Sequence, residues 1–304
     1  MNFRERYLDW LKARRPDLGG LRIGIDCSNG MASLLARDLF PDAEILNDTL
    51  DGTFPNHSPN PLKAEAREQV AACVRAHGLD CGVIFDGDAD RAMFVDETGA
   101  FVQPDYLIPV VARATARARK NEVSGAFVLH DVRTSRGAIE TLAEEGFAPV
   151  MVPVGHAFAK PKMREWNALC GGELAGHYYF GEFFGCDSGF LAALRILGEI
   201  ALAKAHGQTF AEMMRPIVSR YANSGELNFK VEDKPRAIAR VLSAARAFGA
   251  ETGRSEIDGV RLEFAEGWIS VRKSNTEPYL RLLVETRSAA RLRDWVERLT
   301  QAIG

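Results

Sequence analysis

The densest chemistry in the sequence is FDGDADR at 85–91, where Asp86, Asp88 and Asp90 alternate directly behind the apolar run CGVIF. Three carboxylates this close repel one another unless a cation sits among them. A loop carrying them at alternate positions can turn all three to one centre, and hard carboxylate oxygens suit Mg²⁺. The loop stands at the carboxyl end of a predicted strand, where open α/β sheets bind ligands. Arg91, beside such a cation, suits an anionic ligand that shares it. Two other readings compete: a solvated acidic turn, and an EF-hand with Glu97 at its twelfth position. The EF-hand requires glycine where Arg91 stands, and helices rather than strands on either side.

Three further segments carry chemistry. RKSNTEP at 272–278 crowds Arg272, Lys273, Ser274, Asn275 and Thr276 between two predicted strands. Two cations, two hydroxyls, an amide and free backbone N–H groups on a tight turn form an anion nest; an ordinary polar hairpin loop has the same composition. GGELAGHYYF at 171–180 sets Glu173 and His177 in glycine-rich, non-helical sequence, where they can hydrogen-bond hydroxyl groups or transfer protons. A plain surface turn is the alternative. VGHAFAK at 154–160 opens a helix with Gly155-His156 and places Lys160 one turn on, at a helix start that favours anions. A solvent-facing histidine is its alternative. Walker A, G-x-S-x-G, H-E-x-x-H and dinucleotide fingerprints are absent.

The elements that must position these loops follow from hydrophobic period and turn residues. Strands are predicted at 21–26, 81–85, 92–97, 126–132, 149–154 and 170–174. Helices are predicted at 29–40, 62–77, 105–119, 134–145, 156–167 and 188–205, with a polar loop at 51–61. Alternating strands and helices imply βαβ units and mostly parallel sheets. After about residue 216 the pattern changes to four strands, ELNFKV, VRLEF, WISVRK and PYLRLLVE, with helices at 234–248 and 288–302. The predicted fold is therefore α/β: two βαβ-type mixed-sheet domains followed by an α+β C-terminal domain. The expected divisions are a linker helix at 1–20, a metal-loop domain at 21–103, a sugar-binding domain at 104–216 and a phosphate-binding domain at 217–304.

Composition narrows the function classes. The 304 residues are 46% hydrophobic and 26% charged, enough to bury more than one core. A net charge of −3 without a long Lys/Arg run argues against a nucleic-acid partner, although a few placed cations suffice for a small anion. No apolar run has membrane-spanning length, and the charged opening MNFRERYLDWLKARR is no secretory signal. Five cysteines, Cys27, Cys73, Cys81, Cys170 and Cys186, without a C-x-x-C pair fit reduced thiols in a cytoplasm. Cys81 and Cys170 fall in predicted strands as small buried hydrophobes.

Taken together and in order, DCSNGMA, DGTFPNHSPNP, FDGDADR, VGHAFAK, GGELAGH and RKSNTEP resemble the α-D-phosphohexomutase family, from about residue 20 to the C-terminus. The resemblance implies that Asp86, Asp88 and Asp90 hold Mg²⁺ and that Arg91 assists near the transferred phosphate. It implies that Glu173 and His177 bind sugar hydroxyls, and that Arg272, Ser274, Asn275 and Thr276 grip the phosphate not being transferred. Arg133, Arg136, His156 and Lys160 would line the same cleft from the middle domain, with Arg91 and His156 as catalytic candidates. The ligand implied is a phosphorylated hexose, with hexose 1,6-bisphosphate as activator or intermediate.

Two departures from the family pattern matter. Family members begin with another α/β domain whose T-A-S-H-N-P-like loop carries the phosphorylated serine, and no such loop occurs in these residues. Ala175 stands where the family often has serine, which removes a hydroxyl contact to the sugar. The expectation is a phosphomannomutase/phosphoglucomutase that needs a separate phosphoserine domain, as a fragment or split-gene product would. A non-catalytic sugar-phosphate-binding module, or the partner subunit of a split mutase, is the alternative. A phosphatase using Asp86 and Asp88 as a D-x-D site is a weaker third idea, lacking identifiable Thr and Lys partners.

Overall fold

The computed structural model describes residues 2–119, 124–274 and 278–304. Three sheets follow one another along the chain. The first, in the order β2-β1-β3-β4-β5, contains β1 (Ile23–Asp26), β2 (Glu44–Leu46), β3 (Cys81–Phe85), β4 (Ala92–Asp96) and β5 (Phe101–Val102). β1 runs parallel to β2 and β3, while β4 and β5 add antiparallel. The second sheet, β10-β9-β8-β6-β7, repeats this mixed plan with β6 (Phe127–Asp131), β7 (Ala148–Val152), β8 (Cys170–Gly172), β9 (Tyr178–Phe180) and β10 (Cys186–Asp187). β6 is parallel to β7 and β8, and β9 and β10 turn antiparallel.

The third sheet is antiparallel throughout. It is built from β11 (Ala222–Asn223), β12 (Leu227–Lys230), β13 (Glu251–Ser255), β14 (Val260–Phe264), β15 (Gly267–Lys273) and β16 (Tyr279–Thr286). Helices Lys234–Ala245 and Ala289–Ile303 cover it through Val241, Ala245, Trp295 and Leu299. Two mixed α/β sheets and a C-terminal sheet-plus-helix unit are the architecture expected.

Several elements depart from expectation. The 29–40 helix divides into a 3₁₀ turn, Met31–Leu34, and a short helix, Ala36–Leu39. The backbone N–H of Met31 is taken by the Gly87 carbonyl at 2.9 Å, and Leu35 at φ −128° interrupts the helical run. The opening helix covers only Phe3–Lys12, started by an Asn2/Glu5 capping box and followed by Pro16. Helix Phe210–Val218 was not anticipated, although Thr209 and Glu212 form a full capping box; Pro216 inside it reads as a breaker.

The first two sheets share one apolar core. Helix Gly189–Ala205 lies between them, and Phe190 packs on Phe85 with tilted rings whose centroids are 4.6 Å apart. Ile25, Val83, Phe85, Val128, Cys170, Tyr178, Leu191 and Leu194 all belong to that continuous cluster. The third sheet has a separate core and meets the second mainly through polar groups. Glu285, fully buried on β16, accepts from the Arg136 N–H at 2.8 Å, Trp268 Nε1 at 2.7 Å and Asn223 Nδ2 at 3.0 Å. Arg261 donates to the carbonyls of Val132 and Thr134 at 2.7 and 2.9 Å and lies 3.6 Å above the Trp268 ring.

Candidate functional site

The acidic loop is locked from three sides. Behind it, a Cβ on Gly30 would stand 2.5 Å from the Gly87 carbonyl oxygen, so only glycine fits at that approach. The loop 51–61 folds over Gly87 with Phe54 and Pro59. In front, helix Gly189–Ala205 begins so close that a Cβ on Gly189 would meet the Ala89 carbonyl at 2.7 Å. A buried polar centre supports the arrangement: Asp26 accepts from the Ser28 N–H at 2.8 Å and Asn47 Nδ2 at 3.0 Å, and lies 3.2 Å from His57 Nε2.

Asp86 is buried, Asp90 half-buried and Asp88 exposed. Acceptor oxygens of all three lie within 4.8 Å of one another. Asp90 Oδ1 is buried without a hydrogen-bond partner. That acceptor without a hydrogen bond, inside a hard-oxygen trio of carboxylates to which one arginine is paired, fits a Mg²⁺ ion, which would take up the remaining negative charge. Burial pushes the Asp86 carboxyl up to about 6, with Arg91 working against that rise. Arg91 Nε donates to Asp86 Oδ2 at 2.6 Å, and its Nη1 reaches Asn60 Oδ1 at 3.4 Å.

The second sheet brings the histidine and glutamate loops against this centre. Arg91 and His177 form an isolated backbone bridge, and the Ala92 N–H donates to the Gly176 carbonyl at 3.3 Å. His177 Nδ1 lies 3.7 Å from Asp90 Oδ2, and the rings of His156 and His177 meet edge to face at 5.9 Å. Glu173 is buried, accepting from the Tyr179 hydroxyl at 2.5 Å and the Gly155 N–H at 3.2 Å.

Sequence reasoning missed Asp187. Its carboxylate takes Lys160 Nζ at 2.8 Å on one oxygen and His177 Nδ1 at 3.0 Å on the other. Burial raises its pKa, but these two partners outweigh that and bring it down to about 2. Burial lowers the His177 pKa in turn, but the hydrogen bond to Asp187 and the charges of Asp90, Glu173 and Asp187 outweigh it and leave it raised. With Nδ1 engaged by Asp187, His177 has Nε2 as its second ring nitrogen for a ligand. The signal was faint, a single acid in FFGCDSG more than one strand away from His177.

A cleft of about 340 Å³ joins the second sheet to the third, lined by Arg133, His156, Glu173, His177, Arg272 and Ser274 among others. Arg133 is buried at its base, donating to Asp131 Oδ2 at 2.6 Å. Arg136 does not line the cleft; it turns to the third sheet, pairs with Glu263 and donates to the carbonyls of Phe264 and Gly267 at 3.1 and 3.2 Å. Lys160 pairs with Asp187, the same carboxylate that holds His177. Asn275 and Thr276 lie outside the described residues.

These folds and loops define a three-unit α/β chain built around one inter-sheet cleft, and comparison with known proteins gives the class a name. Sequence models of phosphoglucomutase/phosphomannomutase domains match in order: α/β/α domain II over residues 5–99, α/β/α domain III over 103–221 and the C-terminal domain over 226–302. A phosphohexose mutase of Xanthomonas campestris pv. campestris is 37% identical over 295 residues, covering 95% of this chain and 63% of that protein. A phosphomannomutase of Escherichia coli K12 is 35% identical over 298 residues, covering 94% and 63%. A crystal structure of a phosphoglucomutase/phosphomannomutase family protein from Burkholderia thailandensis superposes with a TM-score of 0.86 at 28% identity, covering 99% of this chain and 64% of that one. The chain belongs to the phosphoglucomutase/phosphomannomutase family. It spans less than two thirds of the length of each of these relatives.

Proposed function

We infer that this chain is the metal-, sugar- and phosphate-holding part of a phosphohexomutase that interconverts hexose 6-phosphate and hexose 1-phosphate. The observation that carries the reading is convergence: one cleft is lined by Glu173, His177, His156, Arg133, Arg272 and Ser274, and His177 leads from it to Asp90. Glu173 and His177 supply acceptors and donors for sugar hydroxyls. Arg272 and Ser274, with Asn275 and Thr276 following them in sequence, grip the phosphate that stays in place. Arg91, paired with Asp86 and bridged through its backbone to His177, can contact the phosphate being transferred. Mg²⁺ held by Asp86, Asp88 and Asp90 would neutralise charge on that phosphate. The donor phosphoserine is assigned to a separate domain, with hexose 1,6-bisphosphate as the intermediate.

Calorimetry with Mg²⁺ and with glucose 1-phosphate and mannose 1-phosphate tests this, beside a coupled turnover assay primed with hexose 1,6-bisphosphate. Asp88→Asn is expected to abolish Mg²⁺ binding and leave the fold intact. Arg272→Ala is expected to weaken sugar-phosphate binding by about 1.5–3 kcal/mol, the range for a charge-assisted hydrogen bond. A wild-type chain that binds neither sugar phosphate overturns the reading. Binding without turnover identifies the receptive part of a mutase that needs its donor.

A further inference from the structure

Glu226 sits in the segment leading into β12, directly after Gly225, whose φ is 65°. Three guanidinium groups converge on its carboxylate. Oε1 lies 3.1 Å from Arg272 Nη2 and 3.6 Å from Arg133 Nη1, and Oε2 lies 2.9 Å from Arg281 Nη1. Arg272 and Arg281 stand directly opposite each other in the β15–β16 register. Like charges so placed repel unless an anion lies between them. Arg133 comes from the second sheet, so Glu226 ties together cations from both walls of the cleft.

The grip leaves a donor over. Arg272 is 3% exposed, and its Nε is buried with no acceptor among the described residues. Asp258, the other carboxylate near this arginine, stands 3.9 Å from Nη1, too far for a hydrogen bond. The Glu226 carboxylate, with two oxygens and one negative charge, thus serves Arg272 and Arg281 and also faces Arg133, whose main partner is Asp131. A phosphate monoester carries close to two charges on three terminal oxygens, and can meet Nε and Nη of one guanidinium as a fork.

We propose that Glu226 is a built-in substitute for phosphate, holding Arg133, Arg272 and Arg281 while the cleft is empty and giving up Arg272 when a phosphorylated ligand enters. The proposal deepens the phosphate-grip reading above and rests on it. Its consequence is selectivity. An entering anion must outcompete a carboxylate already in place, so carboxylated sugars and other monoanions gain nothing by exchange, whereas a phosphate dianion does.

The test is calorimetric titration with inorganic phosphate, glucose 1-phosphate and acetate, at fixed ionic strength, on wild type, Glu226→Gln, Glu226→Asp and Arg272→Ala. Glu226→Gln removes the competing charge at nearly constant volume. It is expected to bind inorganic phosphate roughly ten-fold tighter and to acquire measurable acetate binding. Glu226→Asp, with charge kept and reach shortened, is expected to fall between that variant and wild type. Should the Gln variant fail to fold by circular dichroism, the Asp variant decides. Unchanged or weakened phosphate binding in the folded variants, with Arg272→Ala still losing affinity, overturns the role of Glu226 alone. Equal binding by wild type and Arg272→Ala, or binding by neither, overturns the phosphate-grip reading and this proposal with it.

Discussion

The joint between the first two sheets and the joint between the second and third are made of opposite materials. At the first, Phe85, Phe190, Leu191 and Leu194 join the cores of both sheets into one apolar cluster. At the second, polar groups dominate: buried Glu285 and Arg261 with half-buried Arg136 and Glu263, and among the described residues Leu174, Trp268 and Leu283 form a small apolar contact. An apolar joint cannot open without exposing surface at about 25 cal/mol per Å². A polar joint can exchange its hydrogen bonds for water and so separates at lower cost. The acidic loop and the His177 loop therefore sit on a fixed platform, while the arginines of β15 and β16 approach from a unit held by exchangeable bonds.

This contrast can be broken most forcefully at Phe190. Phe190→Ala is expected to cost about 3–5 kcal/mol, as large aromatic truncations in cores do. Hydrogen exchange should then accelerate in β1, β3, β6 and β8 together. Acceleration confined to one sheet would show that the shared core is not a single cooperative block.

A smaller effect is expected at the second joint. Glu285→Ala strips the acceptor from the Arg136 N–H, Trp268 Nε1 and Asn223 Nδ2, and a buried donor left unpaired costs about 1–3 kcal/mol. Calorimetry should resolve two endotherms, with the C-terminal unit melting first. One undivided transition would mean that this joint is no weaker than the other.

Acid should sharpen the difference with the smallest change. Burial pushes the Glu263 carboxyl up, but Arg261 and Arg136 outweigh it, and its pKa in the fold is lowered. Such a group contributes stability above its unfolded value, about 4.3, and that contribution fades as pH falls through the lower folded value. As pH falls below that unfolded value the C-terminal unit should lose stability in a scan, and Glu263→Gln should flatten that loss. An equal acid response in wild type and variant would remove Glu263 from the joint's electrostatics.

What was legible in the sequence was what lies close together in it. FDGDADR, GGELAGH and RKSNTEP each hold their groups within a few residues, and the strand before each loop is apolar enough to read. Groups whose partners are remote were not legible. Glu226 meets an arginine 93 residues earlier, Asp187 gains its meaning from Lys160, and Arg136 serves Glu263 rather than the cleft. The short edge strands β2, β5 and β10 were missed for a related reason: two or three residues carry no period, and pairing alone defines them.

Helix Gly189–Ala205 also orders events in time. The first sheet ends at Val102, yet the helix that completes its apolar core begins 87 positions later. At roughly 5–20 residues per second of synthesis, the hydrophobic face of β1 and β3 waits on the order of 4–17 s for its cover. The nascent chain therefore passes through an interval in which the first sheet is made but its core cannot close, and it is then that a chaperone would meet it.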